Sequence, residues 1–475
     1  MGQTVTIDPV TRIEGHAKIT VHLDHAGRVE AARFHVVEFR GFEKFCEGRY
    51  FAEMPNITSR VCGICPVSHL LAGAKACDAI TGARIPRPAH LLRELMHMGQ
   101  VCQSHALSFF HLSSPDLLLG WDSDPAERNV MGLIARHPQT ARRGIRLRAY
   151  GQTVIETVAG RRIHAQFNVP GGVNAAMTTE KRDQLLAAWQ EAVDNARFGL
   201  DLFKGYAADH AAEVDGFANF ASGYMGLVTA AGGLEHYDGR LRIRGADGRP
   251  IAPDIDPADY LSVISEAVEP WSYLKFPFIT ELGYPRGIYR VGPLARLNLV
   301  DGVGTPLAQR EWEQWRAAPG GLRTSSFDYH YARLIEILFT LERMRAILED
   351  PDLLAPRVDA PGRVVNEQGV GCIEAPRGTL FHHYWVDRQG RIEKVNLVVA
   401  TGHNNLAMNR AVTDIARQYV DGADIREGML NRVEAAIRCY DPCLSCSTHA
   451  VGRMPLAVVL VGPDGRILRE LRRDG

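Results

Sequence analysis

Two cysteine pairs with the same spacing lie far apart in this 475-residue chain. Cys62 and Cys65 form the first C-x-x-C pair, and Cys443 and Cys446 form the second. Two thiolates three positions apart can bind one metal ion across a tight turn, which a small residue such as Gly63 permits. Thiolates are soft ligands that select zinc, iron clusters or other soft metals. The spacing therefore predicts one four-thiolate site that ties both ends of the chain together.

The spacing leaves the kind of site open. Taken alone it favours a structural zinc, because four-thiolate zinc sites are common. A redox-active C-x-x-C is a second alternative, but the sequence pattern lacks the thioredoxin-like βαβ unit that it requires. Structural zinc pairs usually lie within one small unit, whereas nearly the whole chain separates Cys65 from Cys443. This separation favours a functional centre.

Composition excludes several classes of protein. With 46% hydrophobic and 23% charged residues, the chain is typical of a folded globular protein and not of a disordered one. The net charge of −1 gives no electrostatic reason to expect a nucleic acid partner. The odd count of nine cysteines does not suit a disulfide framework.

Targeting signals are also absent from the sequence pattern. The first residues lack the basic and apolar regions of a signal peptide. No apolar run approaches the roughly 20 residues that a membrane-spanning helix needs. We therefore expect a cytoplasmic protein with no membrane contact.

Hydrophobic periodicity predicts an α-rich α+β fold, with a helix-bundle core and small antiparallel sheets in one compact unit. Strands are expected over 4–37 and over 363–401, with a turn at 387–390, and the region 222–325 reads as β-like and rich in loops. Asp124-Pro125 is interpreted as a helix start, and Thr178 or Thr179 as a helix cap. A hairpin is expected within 450–475. The predicted helices span 88–114, 124–159, 179–213, 327–348, 403–420 and 425–439.

The motifs around the cysteine pairs resemble those of nickel–iron hydrogenase large subunits. The first reads R-V-C-G-I-C at 60–65, with His69 after it, and the second reads D-P-C-L-S-C at 441–446, with His449 after it. The resemblance covers effectively the whole chain. Within the family, this sequence is most similar to the branch that contains the soluble NAD-reducing enzymes. Further matches are R-I-E-G-H at 12–16, F-R-G-F-E at 39–43, P-G-G at 170–172, R-V-G-P-L-A-R at 290–296 and E-A-P-R-G at 374–378.

This resemblance implies a set of metal ligands. All four cysteines would bind nickel, and Cys65 and Cys446 would bridge to an iron that also carries CO and cyanide. Glu43 and His449 would help to hold a magnesium ion. Three positions depart from the family pattern, because Gly402 and His403 stand where Thr and Gln are expected and Ala165 stands where many relatives carry proline.

The resemblance also implies catalytic roles. Heterolytic cleavage of H2 requires a proton acceptor, for which the Cys446 thiolate is favoured because arginine is normally always protonated. Glu14 would be the first proton relay. Arg377 would lie over the open nickel–iron position, with Asp441 fixing it. Thr401, Pro376 and Arg377 are expected to contact the ligands of the iron.

Electrons must leave through other subunits. The remaining five cysteines lack the spacing of an iron–sulfur cluster, and G-V-G-C-I-E at 369–374 is only a partial dinucleotide motif. The family resemblance implies an iron–sulfur small subunit and flavin and NAD-binding diaphorase subunits as partners. It also implies that residues 1–449 form the catalytic unit. A maturation protease would remove 450–475 after nickel-insertion proteins have acted.

The predicted function is therefore the catalytic subunit of a hydrogenase that cleaves H2 reversibly and passes electrons to NAD+. Coupling to NADP, deazaflavin or ferredoxin is an alternative within the same chemistry. A non-enzymatic H2 sensor and a structural zinc protein are alternatives of other classes. The quinone-site subunit of respiratory complex I shares ancestry but lacks the four metal cysteines.

Overall fold

Long helices form the centre of the protein. The computed structural model describes residues 3–317, 321–360, 362–449, 456–463 and 466–473. The α-helices are α1 (Phe42–Cys46), α2 (Met54–Ser59), α3 (Pro66–Thr81), α4 (Arg87–Leu107), α5 (Ser114–Leu119), α6 (Val130–Arg136), α7 (Pro138–Ala159), α8 (Thr179–Asp209), α9 (Ala211–Gly216), α10 (Pro293–Leu299), α11 (Pro306–Arg316), α12 (Asp328–Leu348), α13 (Ala400–His403), α14 (Asn405–Tyr419), α15 (Glu427–Tyr440) and α16 (Leu444–Ser447).

Helices α4, α7, α8 and α12 pack on one another as the predicted bundle core. Helix α12 carries apolar residues on all sides and is buried along almost its whole length, which places it in the interior. Helix α4 contacts both α7 and α12, and α8 contacts the same two helices. Helix α8 buries only one face, through residues such as Leu185, Trp189 and Val193.

Two helix starts test the interpretation of capping residues. Thr178 caps α8 as predicted, because its side-chain oxygen accepts a hydrogen bond from the Lys181 amide. The predicted helix start at Asp124-Pro125 is wrong. The Asp124 side chain instead accepts the Ala126 amide in a tight turn, and α6 begins only after Asn129, whose side chain caps it.

Small sheets surround the helices. The strands are β1 (Thr4–Ile7), β2 (Ala17–Leu23), β3 (Val29–Val36), β4 (Asn168–Val169), β5 (Gly172–Val173), β6 (Gly223–Val228), β7 (Arg240–Arg244), β8 (Ile264–Ala267), β9 (Phe276–Ile279), β10 (Tyr289–Arg290), β11 (Gln368–Ala375), β12 (Gly378–Val386), β13 (Ile392–Val398), β14 (Leu456–Val461) and β15 (Ile467–Arg473).

Most of these strands pair with antiparallel neighbours, as predicted. Strands β1, β2 and β3 form one meander, and β11, β12 and β13 form another with the expected turn at 387–390. The short pairing of β10 with β6 is parallel and departs from the prediction. Strands β14 and β15 form the expected terminal hairpin. No helix in the described ranges is long and apolar enough to cross a membrane.

The close approach of α7 to α4 depends on a glycine at the contact between the two helices. A Cβ atom at Gly151 of α7 would lie 2.6 Å from the Gly99 carbonyl oxygen and 2.9 Å from the Gln103 amide of α4. We expect Gly151→Ala to lower the free energy of unfolding by about 1–3 kcal/mol, because backbone atoms cannot yield as side chains do. Thermal and denaturant unfolding would measure the change.

Gly205 of α8 provides a matched control, because no atom lies within 4 Å of a Cβ added there. Gly205→Ala should leave the stability unchanged or raise it by up to about 1 kcal/mol, since alanine is the better helix former. Equal stability of the two variants would contradict the tight packing of α4 on α7.

Candidate metal centre

The four cysteines of the two pairs meet at one point in the interior. Cys62 lies in the turn between α2 and α3, Cys65 precedes α3, Cys443 precedes α16, and Cys446 lies within α16. The Sγ atoms of Cys62 and Cys443 are 3.2 Å apart, as are those of Cys65 and Cys446. All four sulfur atoms lie within 4.8 Å of one another. This arrangement can hold one metal ion.

The chemistry of these thiols suits a cation. Hydrogen bonds from Cys443, Cys446 and Cys65 hold the pKa of Cys62 well below its usual value. Burial, together with the hydrogen bonds to Cys62 and Cys65, raises the pKa values of Cys443 and Cys446 well above 9. Four buried thiols at this distance can all ionise only beside a positive charge, which a bound metal ion supplies.

The N-terminal segment carries Glu14 to the second cysteine pair. The carbonyl oxygen of Glu14 accepts the Leu444 amide at 3.1 Å, and its carboxylate accepts the Ser445 amide at 3.0 Å. Gly15 makes this approach possible, because its φ is +85° and a Cβ atom there would lie 2.7 Å from Cβ of Leu444. Glu14 is half-buried, and its backbone also forms a β-bridge with Cys443.

A small cavity adjoins the sulfur atoms. It has a volume of about 10 Å³, which is room for about one water molecule, and its lining includes Cys65, His69, Pro376, Arg377, Thr401 and Cys446. The hydroxyl of Thr401, at the start of α13, accepts the Cys443 amide at 3.0 Å. The structure therefore brings Pro376, Arg377 and Thr401 together on the cavity side of the cysteine cluster.

Arg377 is fixed over this cavity by Asp441. Its Nη2 donates to the Asp441 carboxylate at 3.1 Å, its Nε donates to the Asp441 carbonyl oxygen, and its Nη1 lies 3.4 Å from Ser104 Oγ. Burial acts to lower the pKa of Arg377, but the charges of Asp441 and the thiolates outweigh it and raise that pKa. The arginine therefore contributes a permanent positive charge.

Sequence reasoning missed the group that holds the Arg377 loop. Arg296 donates to the carbonyl oxygens of Ala375 at 3.1 Å and Pro376 at 3.3 Å. Its guanidinium is itself held by Glu336 at 2.6 Å and Glu374 at 2.7 Å. All three charged side chains are fully buried. Arg296 ends the R-V-G-P-L-A-R motif, but only its position in the fold reveals the contact.

Glu43 and His449 lie together on another side of the site. Glu43 Oε1 accepts the Leu397 amide at 2.8 Å and lies 3.1 Å from His449 Nδ1. Burial acts to raise the pKa of Glu43, but the hydrogen bond and charge of His449 outweigh it and lower that pKa. Among the described residues, only the four cysteines form a metal-binding group of three or more side chains. A magnesium ion here would therefore need backbone oxygens or water as further ligands.

His403 does not lie at the cavity. It stands at one of the three positions that depart from the family pattern, and its Nδ1 is hydrogen-bonded to the Tyr289 hydroxyl. Both rings are fully buried. The departure at His403 therefore changes the packing behind α13 and leaves the lining of the cavity unchanged.

Comparison with known proteins agrees with this geometry. The nickel-dependent hydrogenase family model matches residues 40–122 and 261–449, which include all four cysteines, and a HoxL-like model matches residues 4–39. The chain belongs to the nickel-dependent hydrogenase family. As a hydrogenase large subunit it has the fold and the family membership that the sequence motifs predict.

Similar hydrogenases span the whole length of the chain. The beta subunit of the NAD-reducing hydrogenase HoxS from Cupriavidus necator is 45% identical over 100% of both chains. The F420-non-reducing hydrogenase vhc of Methanococcus voltae has a subunit that is 40% identical over 98% of this chain and 99% of that one. The crystal structure of an NAD+-reducing [NiFe]-hydrogenase in the H2-reduced state superposes with a TM-score of 0.92 and 46% identity, covering 94% of this chain and 99% of that chain.

The Thr401 hydroxyl is expected to stabilise the second cysteine pair. Thr401→Val would leave the buried Cys443 amide without its acceptor, which costs about 1–3 kcal/mol. Thermal unfolding of the purified protein would measure this loss. Thr305→Val is the matched control, because the Thr305 hydroxyl is also buried but has no hydrogen-bond partner among the described residues. A loss of the same size in the control would contradict the assignment.

Proposed function

We propose that this protein cleaves H2 reversibly and heterolytically at a nickel–iron centre and that its electrons reach NAD+ through other subunits. The observation that carries the proposal is the convergence of four sulfur atoms within 4.8 Å of one another beside a fixed arginine. Coupling to NAD+ rests on the likeness to the NAD-reducing hydrogenase of Cupriavidus necator. We further propose an iron–sulfur small subunit and flavin-containing diaphorase subunits as partners, in the cytoplasm.

The residues present suit the proposed metal group. Cys62, Cys65, Cys443 and Cys446 would hold nickel, and Cys65 and Cys446 would share the iron. The adjacent cavity offers the Arg377 guanidinium and the Thr401 hydroxyl to the CO and cyanide ligands of the iron. When bound, the metal pair supplies the Lewis acid that polarises H2.

Proton transfer is the part that the side chains of this protein perform. The Cys446 thiolate accepts the proton, because Arg377 stays protonated in its ion pair with Asp441. Glu14 then receives the proton from the thiolate, since its carboxylate already lies against the Ser445 amide next to Cys446. Arg377 contributes a fixed charge that favours negative groups in the cavity.

Two further proposals concern the end of the catalytic unit. Glu43 and His449 would hold a magnesium ion, with backbone and water oxygens completing its coordination. The catalytic unit would be residues 1–449, and a maturation protease would remove 450–475 after nickel-insertion proteins have loaded the site. The carbonyl oxygen of His449 accepts the Glu43 amide at 3.1 Å, so the proposed new terminus is already anchored.

A structural zinc is the competing interpretation of the cysteine cluster, since four thiolates also suit zinc. Metal analysis separates the nickel–iron interpretation from the zinc interpretation. The protein is purified with its native partners, and only chains whose mass shows that they end at His449 are analysed. Nickel and iron together are expected, and both should be lost in Cys446→Ser. Cys439→Ser is the matched control, because Cys439 is equally buried but lies outside the cluster, and it should retain both metals. Zinc alone in the trimmed protein would refute the proposed function.

The proposed relay predicts that Glu14→Gln retains the metals but loses turnover. An amide oxygen can still accept the Ser445 amide, whereas it cannot carry a proton, so kcat for H2 oxidation should fall about 10²–10⁴-fold. Glu434→Gln is the matched control, because the Glu434 carboxylate also accepts a backbone amide, that of Thr11, outside the cavity. Activity assays measure the turnover of Glu14→Gln, and metal analysis measures its nickel and iron content. Normal turnover would exclude Glu14 as the relay.

A further inference from the structure

One largely buried arginine holds the segment that carries Glu14. Arg12 lies two residues before Glu14, in the stretch between β1 and β2. Its φ of +57° lies in the left-handed region, which a residue other than glycine keeps only when its surroundings hold it there. Its side chain points into the protein, with an exposed fraction of only 13%. Arg12 belongs neither to the proposed metal ligands nor to the proposed proton relay.

Three groups that are distant in sequence bind the Arg12 guanidinium. Its Nη1 donates to the Leu112 carbonyl oxygen at 2.7 Å, within the π-helix Ser108–Ser113 that joins α4 to α5. Its Nη2 donates to the Asp116 carboxylate on α5 and to Oδ1 of Asn431 on α15, the latter at 3.2 Å. The direction of these bonds is fixed, because arginine has only donors and the three oxygen atoms accept.

Asp116 joins this arginine to helix α15. Its carboxylate accepts Nδ2 of Asn431 at 3.0 Å and lies 3.1 Å from Nε of Arg438. Nη1 of Arg438 in turn donates to the Thr11 carbonyl oxygen at 3.2 Å. The side chains of Asp116, Asn431 and Arg438 are buried, where a charge is tolerated only beside partners of this kind. The backbone of residues 11 and 12 is therefore fixed to α15.

Helix α15 also leads to the second cysteine pair. It ends at Tyr440, and the chain then continues through Cys443 to Ser445. Glu14, on the other side, follows Arg12 by two residues and accepts the Ser445 amide at 3.0 Å. Both partners of this contact are therefore connected, over a few residues, to the same buried group around Asp116.

We propose that Arg12 is a positioning residue that keeps the Glu14 carboxylate against the second cysteine pair. Its three hydrogen-bond partners are not ligands of the proposed metal, so Arg12 acts on the site only through Glu14. Proton transfer requires donor and acceptor at hydrogen-bond distance, and a displaced Glu14 would transfer protons more slowly. This inference deepens the proposed function and rests on Glu14 as the relay, but the position of Glu14 can be tested without measuring turnover.

Hydrogen exchange, measured by mass spectrometry on the protein purified with its native partners, tests the position of Glu14. The Leu444 and Ser445 amides both donate to Glu14, so their exchange reports whether it stays in place. Arg12→Met keeps the length of the side chain but has no donor. We expect the peptide that contains these two amides to exchange about tenfold faster in this variant. Unchanged exchange in folded Arg12→Met would overturn the proposal.

Arg323→Met is the matched control. Arg323 also donates to one backbone carbonyl oxygen at 2.7 Å, that of Trp315, and to one buried aspartate, Asp328, at 2.9 Å. The control should leave the exchange of the peptide around Ser445 unchanged. Equally fast exchange there in the control would show a general loss of stability and would overturn the proposal.

Arg12→Lys replaces Arg12→Met if the methionine variant does not fold. Lysine keeps the charge beside Asp116 but lacks the planar fork that reaches several acceptors at once. We expect the same peptide to exchange faster than in the wild type, by a smaller factor than a methionine would cause. Exchange as slow as in the wild type would overturn the proposal.

Kinetics of the assembled, metal-loaded enzyme test whether Arg12 acts through Glu14. Arg12→Met should lower kcat for H2 oxidation about 10–100-fold and leave KM for H2 and the metal content unchanged. In the Glu14→Gln background the same substitution should cause no further loss of kcat. A further loss of the same size would overturn the action through Glu14. Normal turnover of Glu14→Gln alone would refute the proposed relay and leave the exchange result standing.

Discussion

The contact between sulfur atoms separated by 381 residues is the constraint on which the site depends. Each pair alone offers two thiolates, which is half of a metal site. Bringing the pairs together requires the start of α3 and the start of α16 to point at one another. The R-I-E-G-H segment and Thr401 complete this junction through hydrogen bonds to the backbone of the second pair. The bundle of long helices provides the rigid frame that holds both turns in place.

Buried charge is the second theme of the structure. A charged group inside a protein is tolerated only when partners satisfy it, and removing one partner is costly. Arg377 and Asp441 form one such pair at the cavity. Arg296 with its two glutamates forms another directly behind the loop that carries Arg377. The position of the cavity arginine is therefore set from both sides.

Some of this arrangement was predictable from sequence, and the reasons are physical. Local patterns suffice for helix periodicity and for the cap at Thr178. The repeated C-x-x-C spacing predicts that the four cysteines meet, whereas the position of Arg377 beside them was implied by the family resemblance. The local pattern at Asp124 was misleading, because the Asp124 side chain accepts a hydrogen bond from the Ala126 amide in a turn and does not cap a helix. The contacts of Arg296 could not be predicted from spacing. They join α10 to α12 and to the segment around Pro376, which are distant in sequence, and an arginine in a buried helix has many possible partners.

The anchoring of His449 against Glu43 has a consequence for biosynthesis. Ribosomes make the N-terminal half of the chain first, and folding of such chains proceeds while synthesis continues. The first pair of thiols and Glu14 are therefore complete hundreds of residues before the second pair emerges. Throughout this interval the nascent chain presents only half of the cluster, and the junction cannot close before Cys443 and Cys446 have been made. The centre of the folded protein is thus among the last parts of it that can be completed.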